Sequence, residues 1–284
     1  MAVKDRGYAI DRATQAWVRA TGRPVDLAED AWLSGPIGDP RRIGDAWLPG
    51  EAARLGGALS EGGGLLGSVG DLAGEGFDPY ALAVPIVDFY EHTDHWRLEV
   101  WSQWCPVAWP FGWLLSVLFS KRLQQLSMPL RPLDVAHGMD SRVTTVHDEQ
   151  GGQLGAAWLR TLRAAGQTVY SGFCGTPQLP RTARPSIRVA FPLPNGSITV
   201  FLRPDNGQNG RLLLTSPSAR FGDNGAYLVV AEPDGLVGWA RRIPLAERFE
   251  VWVDSDGVAR TDHALDLWQV PIIRLHYRMD PTAR

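Results

Sequence analysis

Residues 187–202 read IRVAFPLPNGSITVFL. Two runs rich in β-branched and aromatic residues, Ile187–Leu193 and Ser197–Leu202, lie on either side of Asn195-Gly196. Such side chains fit the pleated surface of a strand, and Asn-Gly tolerates the positive φ angles of a two-residue turn. The stretch therefore predicts an antiparallel β-hairpin.

The same alternation of a short apolar run and a turn signal continues on both sides of this hairpin. The predicted runs are 142–148, 154–162, 168–175, 211–216, 226–232, 236–241, 249–253, 258–261 and 272–279. No long helical pattern separates them, which favours antiparallel pairing over a parallel sheet. The prediction is an α+β fold, mainly antiparallel β: a strongly curved meander sheet or open barrel of about 8–10 strands with a few helices.

The first 76 residues have a different character and are predicted to form an N-terminal helical, loop-rich and Gly-rich arm. Gly62, Gly64 and Gly67 fit G-x-G-x-x-G, but the preceding residues look helical, whereas a phosphate-binding turn follows a strand. Residues 56–76 are therefore interpreted as a flexible linker. Residues 77–284 are predicted to form the antiparallel β domain, with helices at 78–93 and 111–126.

Tryptophan is unusually frequent, with 12 residues in 284, and five of them lie between Trp96 and Trp113. A large apolar ring with one N–H group suits cavity walls, cores and interfaces alike. Four of them, Trp96, Trp101, Trp104 and Trp113, are the candidate ligand-binding residues. The alternative is that these rings simply fill the core.

The polar candidates for acid–base chemistry are His92, His95, Glu99 and His276. His92 and His95 would share one helical face, which suits proton handling, although capping of a helix end or a surface cluster is the favoured explanation. Their spacing is not that of H-E-x-x-H, and no third ligand is evident, so no metal site is predicted. His276 alternates with Ile273, Leu275, Tyr277 and Met279 along a strand, and the more apolar face is expected to point inward.

Composition limits the partners and the location. The net charge is −3 and no Lys/Arg-rich run occurs, which argues against a nucleic-acid partner. Two cysteines do not make a disulfide framework, and residues 1–17 lack the apolar core of a secretory signal, so a cytoplasmic protein is expected. The longest apolar run, 107–119, is shorter than the roughly 20 residues of a membrane-spanning helix. No cofactor is predicted.

Segments such as DFYEHT (88–93), VWSQW (100–104), PFGWLL (110–115) and LQQL (123–126) resemble a family of actinobacterial proteins that has no assigned activity. The later PLPNGS and RLHYR segments share this likeness, which covers most of the chain from residue 77. A more distant likeness is to START-like helix-grip or lipocalin-like folds. That likeness implies a curved sheet that encloses lipids or polyketides.

Two functions are compatible with these patterns. The first is binding of an apolar small molecule, lipid- or polyketide-like, in a cavity of the curved sheet, with acid–base cyclase or isomerase activity as an extension. The second is a non-catalytic interaction protein that docks on a partner or a membrane surface through the apolar helix 111–119.

Overall fold

A computed structural model describes residues 9–38, 44–105, 139–163, 167–217, 220–232 and 235–282. Within these ranges, fourteen strands form one sheet in which the strand pairs are antiparallel, accompanied by three α-helices. This confirms the predicted α+β class with a mainly antiparallel sheet. The strands are β1 (Arg23–Asp26), β2 (Ala58–Glu61), β3 (Trp96–Trp104), β4 (Met139–His147), β5 (Gln153–Leu162), β6 (Gln167–Gly175), β7 (Ile187–Leu193), β8 (Gly196–Asn206), β9 (Leu212–Thr215), β10 (Gly225–Ala231), β11 (Val237–Ile243), β12 (Leu245–Val253), β13 (Ala259–Leu267) and β14 (Val270–Pro281).

The strand order is β2-β4-β5-β6-β7-β8-β9-β12-β13-β14-β3, with a branch at β8. The first part of β8 pairs with β10, which continues to β11 and β1, and its last residues, from Arg203, pair with β9. The long strand β8 thus connects the branch formed by β10, β11 and β1 with the part of the sheet that continues through β9.

The sheet curves until its two ends share one apolar cluster. Val100 of β3, Met139 of β4, Val169 of β6 and Leu275 of β14 are buried together. β3 and β4 lie at opposite ends of the strand path that runs from β4 through β8 and β14 to β3. Their contact therefore requires the strands to wrap around an interior, although the hydrogen-bonded path of the described strands does not close.

The hairpin of residues 187–202 forms as expected, but its turn lies one residue earlier. Leu193 pairs with Gly196, so the two loop residues are Pro194 and Asn195, and Asn195 has a φ of 59°. Gly196 is already in β8. A Cβ at this position would overlap the carbonyl oxygen of Val229 in β10. Glycine is therefore needed here because β10 approaches β8 closely, and not because of the turn.

The helices are short. They are α1 (Ala9–Thr21), α2 (Leu48–Leu55) and α3 (Val84–Glu91), with 3-10 turns at Val69–Leu72, Pro79–Ala81, Thr93–His95 and Gln208–Gly210. Pro85 at the start of α3 suits a first helical turn. The helix predicted at 111–126, including the docking segment 111–119, lies outside the described residues. No helix in the described ranges has the length and apolarity to cross a membrane.

The interpretation of residues 56–76 as a flexible linker is wrong. This stretch contributes β2, which pairs with β4, and a 3-10 turn whose Val69 and Leu72 are buried in the main core. Leu65 and Leu66 join the same core. Burial of four apolar side chains fixes the segment in spite of its glycines. β1 and β2, both from the predicted N-terminal arm, are thus strands of the common sheet.

Candidate functional site

The wrapped sheet lines a partly open cavity of about 230 Å³. Its wall comes from the inner face of β3–β9 and β12–β14, with Phe89 and Tyr90 of α3 and the Leu65-Leu66 pair closing one side. Most lining side chains are aliphatic or aromatic. The alternation of strand residues explains this, because every second residue of each strand points inward.

Arg160 is the one arginine among the described lining residues. It projects from β5 on the same face as Trp158, and its guanidinium carbon lies 5.2 Å from the Trp158 ring and 5.7 Å from the Tyr277 ring. The residue is only 5% exposed and makes a side-chain hydrogen bond with Tyr277, but neither its Nε nor its Nη2 has a partner among the described residues. Burial lowers the pKa of Arg160, while the nearby hydroxyls of Tyr277 and Tyr170 oppose that shift.

Two tyrosines flank this arginine. Tyr170 stands directly opposite Arg160 in the β5–β6 register, and Tyr277 reaches it from β14 at the far end of the sheet path. Burial raises the pKa of Tyr170 well above its ordinary value, and the nearby Cys174 adds to that shift. Burial also raises the pKa of Tyr277, and the charge of Arg160 partly offsets this. Both phenols therefore remain neutral hydrogen-bonding groups at physiological pH.

Glu247 and His263 form a second polar group in the cavity wall. The Oε2 atom of Glu247 lies 3.1 Å from Nε2 of His263, and the two side chains are 12% and 9% exposed. The imidazole stacks on Phe249 with 3.7 Å between ring centroids, and its Nδ1 has no hydrogen-bond partner. The backbone N–H of Glu247 donates a hydrogen bond of 2.7 Å to the Oγ atom of Ser216, which fixes β12 at this point. A carboxylate that orients one imidazole nitrogen leaves the other for proton transfer.

Cys174 also lines the cavity but is a poor nucleophile. Burial raises the pKa of its thiol to about 12, although the Tyr170 hydroxyl and Arg188 lower it slightly. The thiol is therefore protonated at neutral pH, and the thiolate is the reactive form. Cys174 thus behaves as a small buried hydrophobic residue of the core.

The tryptophans expected to wall the cavity lie elsewhere. Trp96 is buried in the main core, where its ring packs 6.0 Å from Phe89 and its Nε1 donates to Asp88 at 3.0 Å. Trp101 is 45% exposed on the outer face of β3, and Trp104 packs at the edge of the cluster shared by the sheet ends. Trp113 lies outside the described residues. Among the described residues, the tryptophan that does line the cavity is Trp158.

The expected acid–base residues are also remote from the cavity. His92 and His95 are exposed and stacked, with 5.9 Å between ring centroids, and His92 pairs with Asp88. Glu99 pairs with Arg97 on the outer side of β3. His276 points outward and its Nδ1 lies 2.6 Å from Oδ1 of Asp262. None of these four side chains lines the cavity.

The polar residues that do line it left a weak signal in the sequence. Arg160 shares its strand face with Ala156, Trp158 and Leu162, and a charged residue on an otherwise apolar face is unusual. Tyr277 was on the face of β14 expected to point inward. Glu247 had no such signal, because residues 245–248 were not predicted as a strand.

The chain was also compared with known proteins. No protein-family model, curated protein or solved structure matches it.

Proposed function

We propose that this protein binds an apolar small molecule inside the curved sheet. The observation that supports this is the partly open cavity of about 230 Å³, lined mostly by aliphatic and aromatic side chains with a few buried polar groups among them. An apolar hollow with a small number of placed polar groups is typical of small-molecule sites.

The size of the cavity suggests the size of the guest. An apolar protein cavity of about 150 Å³ stays dry and binds benzene, a molecule with six carbon atoms. By simple proportion, this cavity suits a molecule of about ten non-hydrogen atoms. A medium-chain aliphatic compound or a single-ring aromatic compound has that size, which places the ligand at the small end of the lipid- and polyketide-like classes.

Acid–base assistance to the bound molecule is the extension of this proposal. His263 is the histidine that lines the cavity among the described residues, and Glu247 orients its Nε2. That pair, in place of the four residues selected from the sequence, supports proton transfer in a cyclisation or an isomerisation.

Binding can be tested with octan-1-ol, a neutral probe of the estimated size, by isothermal titration calorimetry. Val189 is half-buried and lines the cavity, so Val189→Phe should fill part of it and weaken binding about tenfold or more. Val237→Phe is the matched control, since Val237 is 43% exposed and lies on β11, away from the cavity. Absence of binding by octan-1-ol and octanoate to the wild-type protein would rule out the proposal.

A further inference from the structure

We infer that the ligand of this cavity carries a carboxylate, or a similar anionic group, which Arg160 binds. The inference rests on the proposed function and specifies the chemical class of the ligand. Arg160 lines the apolar cavity, is 5% exposed, and leaves two guanidinium nitrogens without a hydrogen-bond partner.

Those two nitrogens share one edge of the guanidinium group. Nε and Nη2 point their hydrogens to the same side, and an arginine can hold both oxygens of a carboxylate through this edge. The same chain provides an example in α2: Arg54 donates from Nε and Nη2 to the two carboxylate oxygens of the buried Glu51 at 2.8 and 2.7 Å. In Arg160 the equivalent edge is unused by the described residues.

Two other buried arginines also have an Nε without a hydrogen-bond partner among the described residues, but each donates from its other guanidinium nitrogens. Arg184 donates to the backbone carbonyls of Glu75 and Pro204 and pairs with Asp205. Arg188 donates to the carbonyl of Ser34 at 2.9 Å. In the described ranges, Arg160 has neither a carboxylate partner nor a hydrogen bond to a backbone carbonyl. Of these three arginines, Arg160 is therefore the one for which the described residues supply neither a carboxylate nor a backbone carbonyl.

The carboxylate among the described lining residues is already engaged. Glu247 is paired with His263, and its charge also raises the pKa of Tyr170 and Tyr277. A lone buried charge is costly, whereas an anion in hydrogen-bonded contact offsets that cost. The two tyrosine hydroxyls beside Arg160 can add neutral hydrogen bonds to the same anion.

A series of probes with one alkyl chain and three charges tests the inference. Octanoate, octanamide and octylammonium differ mainly in the charge of the head group at neutral pH. We expect octanoate to bind about tenfold or more tightly than octanamide, because hydrogen bonds to a charged group are the stronger kind. Octylammonium should bind most weakly. The affinities are measured by calorimetry on the full-length wild-type protein.

Arg160→Met removes the charge while keeping an apolar side chain of similar length. The preference for octanoate over octanamide should disappear in this variant, while octan-1-ol should still bind. Arg274→Met is the matched control, because Arg274 is exposed on the outer side of β14 and its loss changes the net charge equally. It should keep the wild-type preference.

The stability of the unliganded protein gives a second readout. Arg160→Met removes a buried charge that no carboxylate of the described residues neutralises. The variant should therefore unfold at the same or a higher urea concentration than the wild type. Equal affinities of octanoate and octanamide for the wild-type protein would overturn the inference even if Arg160→Met does not fold. Tight binding of octan-1-ol together with such equality would leave the proposed function intact.

Discussion

Gly64 is a position where a single methyl group would disturb two backbone segments. A Cβ on this residue would overlap the carbonyl group of Glu91 and the carbonyl oxygen of Tyr90, at the end of α3. Backbone atoms on both sides cannot move as a side chain would. We predict that Gly64→Ala lowers the free energy of unfolding by at least about 2 kcal/mol, as overpacking of a core does, measured by urea denaturation.

Gly50 provides the control for that substitution. It lies inside α2, is exposed, and a Cβ there would meet no atom within 4 Å. Gly50→Ala should stabilise the protein by up to about 1 kcal/mol, because alanine favours the helix over the unfolded chain. Equal urea midpoints for the two variants would contradict the packing of residues 56–76 described above.

Cys174 gives a prediction about chemical reactivity. Burial raises the pKa of its thiol to about 12, which leaves roughly one molecule in ten thousand as thiolate at pH 8. In a Cys105→Ser background, labelling by iodoacetamide should therefore be very slow in the native protein and fast in urea. The native rate should rise about tenfold per pH unit as the thiolate fraction grows. Fast labelling of the native protein at pH 8 would contradict this.

Residue patterns identified the strand faces more readily than the functional groups. The alternation of residues 272–279 correctly separated Leu275, Tyr277 and Met279, which line the cavity, from Arg274, which is exposed. The same reasoning could not find the site, because Arg160 and Tyr277 are brought together only when the sheet curves. Trp101 is a residue that was assigned to the wrong face. Its ring lies on the outer face of the sheet, and the abundance of tryptophan alone does not tell an outer ring from one that lines a cavity.

At the level of the strand, β14 presents two different surfaces from neighbouring residues. His276 points outward, between Trp101 and Trp252 and paired with Asp262, whereas Tyr277 points into the cavity. We predict that His276→Ala leaves the affinity for octanoate within about twofold and lowers stability by less than about 1 kcal/mol, as expected for an exposed ion pair.

Tyr277→Phe is the matched change on the inner face of the same strand. It removes one hydroxyl beside Arg160 and keeps the ring, so octanoate affinity should fall about three- to tenfold, the value of one hydrogen bond. Calorimetry on both variants measures the contrast. If His276→Ala weakened binding and Tyr277→Phe did not, the assignment of the two faces to function would be wrong.

Individual hairpins follow from local sequence, but their arrangement in the sheet does not. The β7–β8 hairpin was predictable because Asn195 adopts a positive φ angle that few residues tolerate. The branch at β8 depends on Gly196, which permits β10 to approach, and on β9, which lies beyond it. These strand pairs join segments that are separated in the sequence, and nothing in either segment indicates its partner strand.

At the level of the whole molecule, wrapping of the sheet creates both the cavity and a set of buried phenols. Curvature was predictable from the number of short strands, since a large meander has to protect its edges. The contents of the interior were not, because they depend on which inner-face residues meet across the cavity. The cavity is lined by three tyrosines, Tyr90, Tyr170 and Tyr277. A fourth, Tyr227, is buried in a second core with Trp32 and Phe201.

These phenols predict an alkaline limit to stability. Burial raises the pKa of Tyr90, Tyr170, Tyr227 and Tyr277 above the ordinary value near 10. The unfolded chain therefore releases protons near pH 10 that the folded chain retains, so the unfolded state binds fewer protons and stability falls as pH rises. The stabilisation is fully present below pH 10 and is lost as pH approaches the folded-state pKa values, by about 1.4 kcal/mol per pH unit for each such group.

Urea denaturation between about pH 7 and 11 should show this decline, with the tyrosinate absorbance of these four buried phenols, as distinct from that of the exposed Tyr80, appearing only as the protein unfolds. Tyr90→Phe supplies the control, since burial is the main cause of its shift and phenylalanine keeps the ring. Above pH 10 its stability curve should be shallower than that of the wild type by about 1.4 kcal/mol per pH unit. If wild-type stability did not change across this range, or all phenols ionised near pH 10 while the protein stayed folded, the wrapped interior described here would be incorrect. Two of these phenols, Tyr170 and Tyr277, border Arg160, so that result would also remove the setting in which an anionic guest is expected.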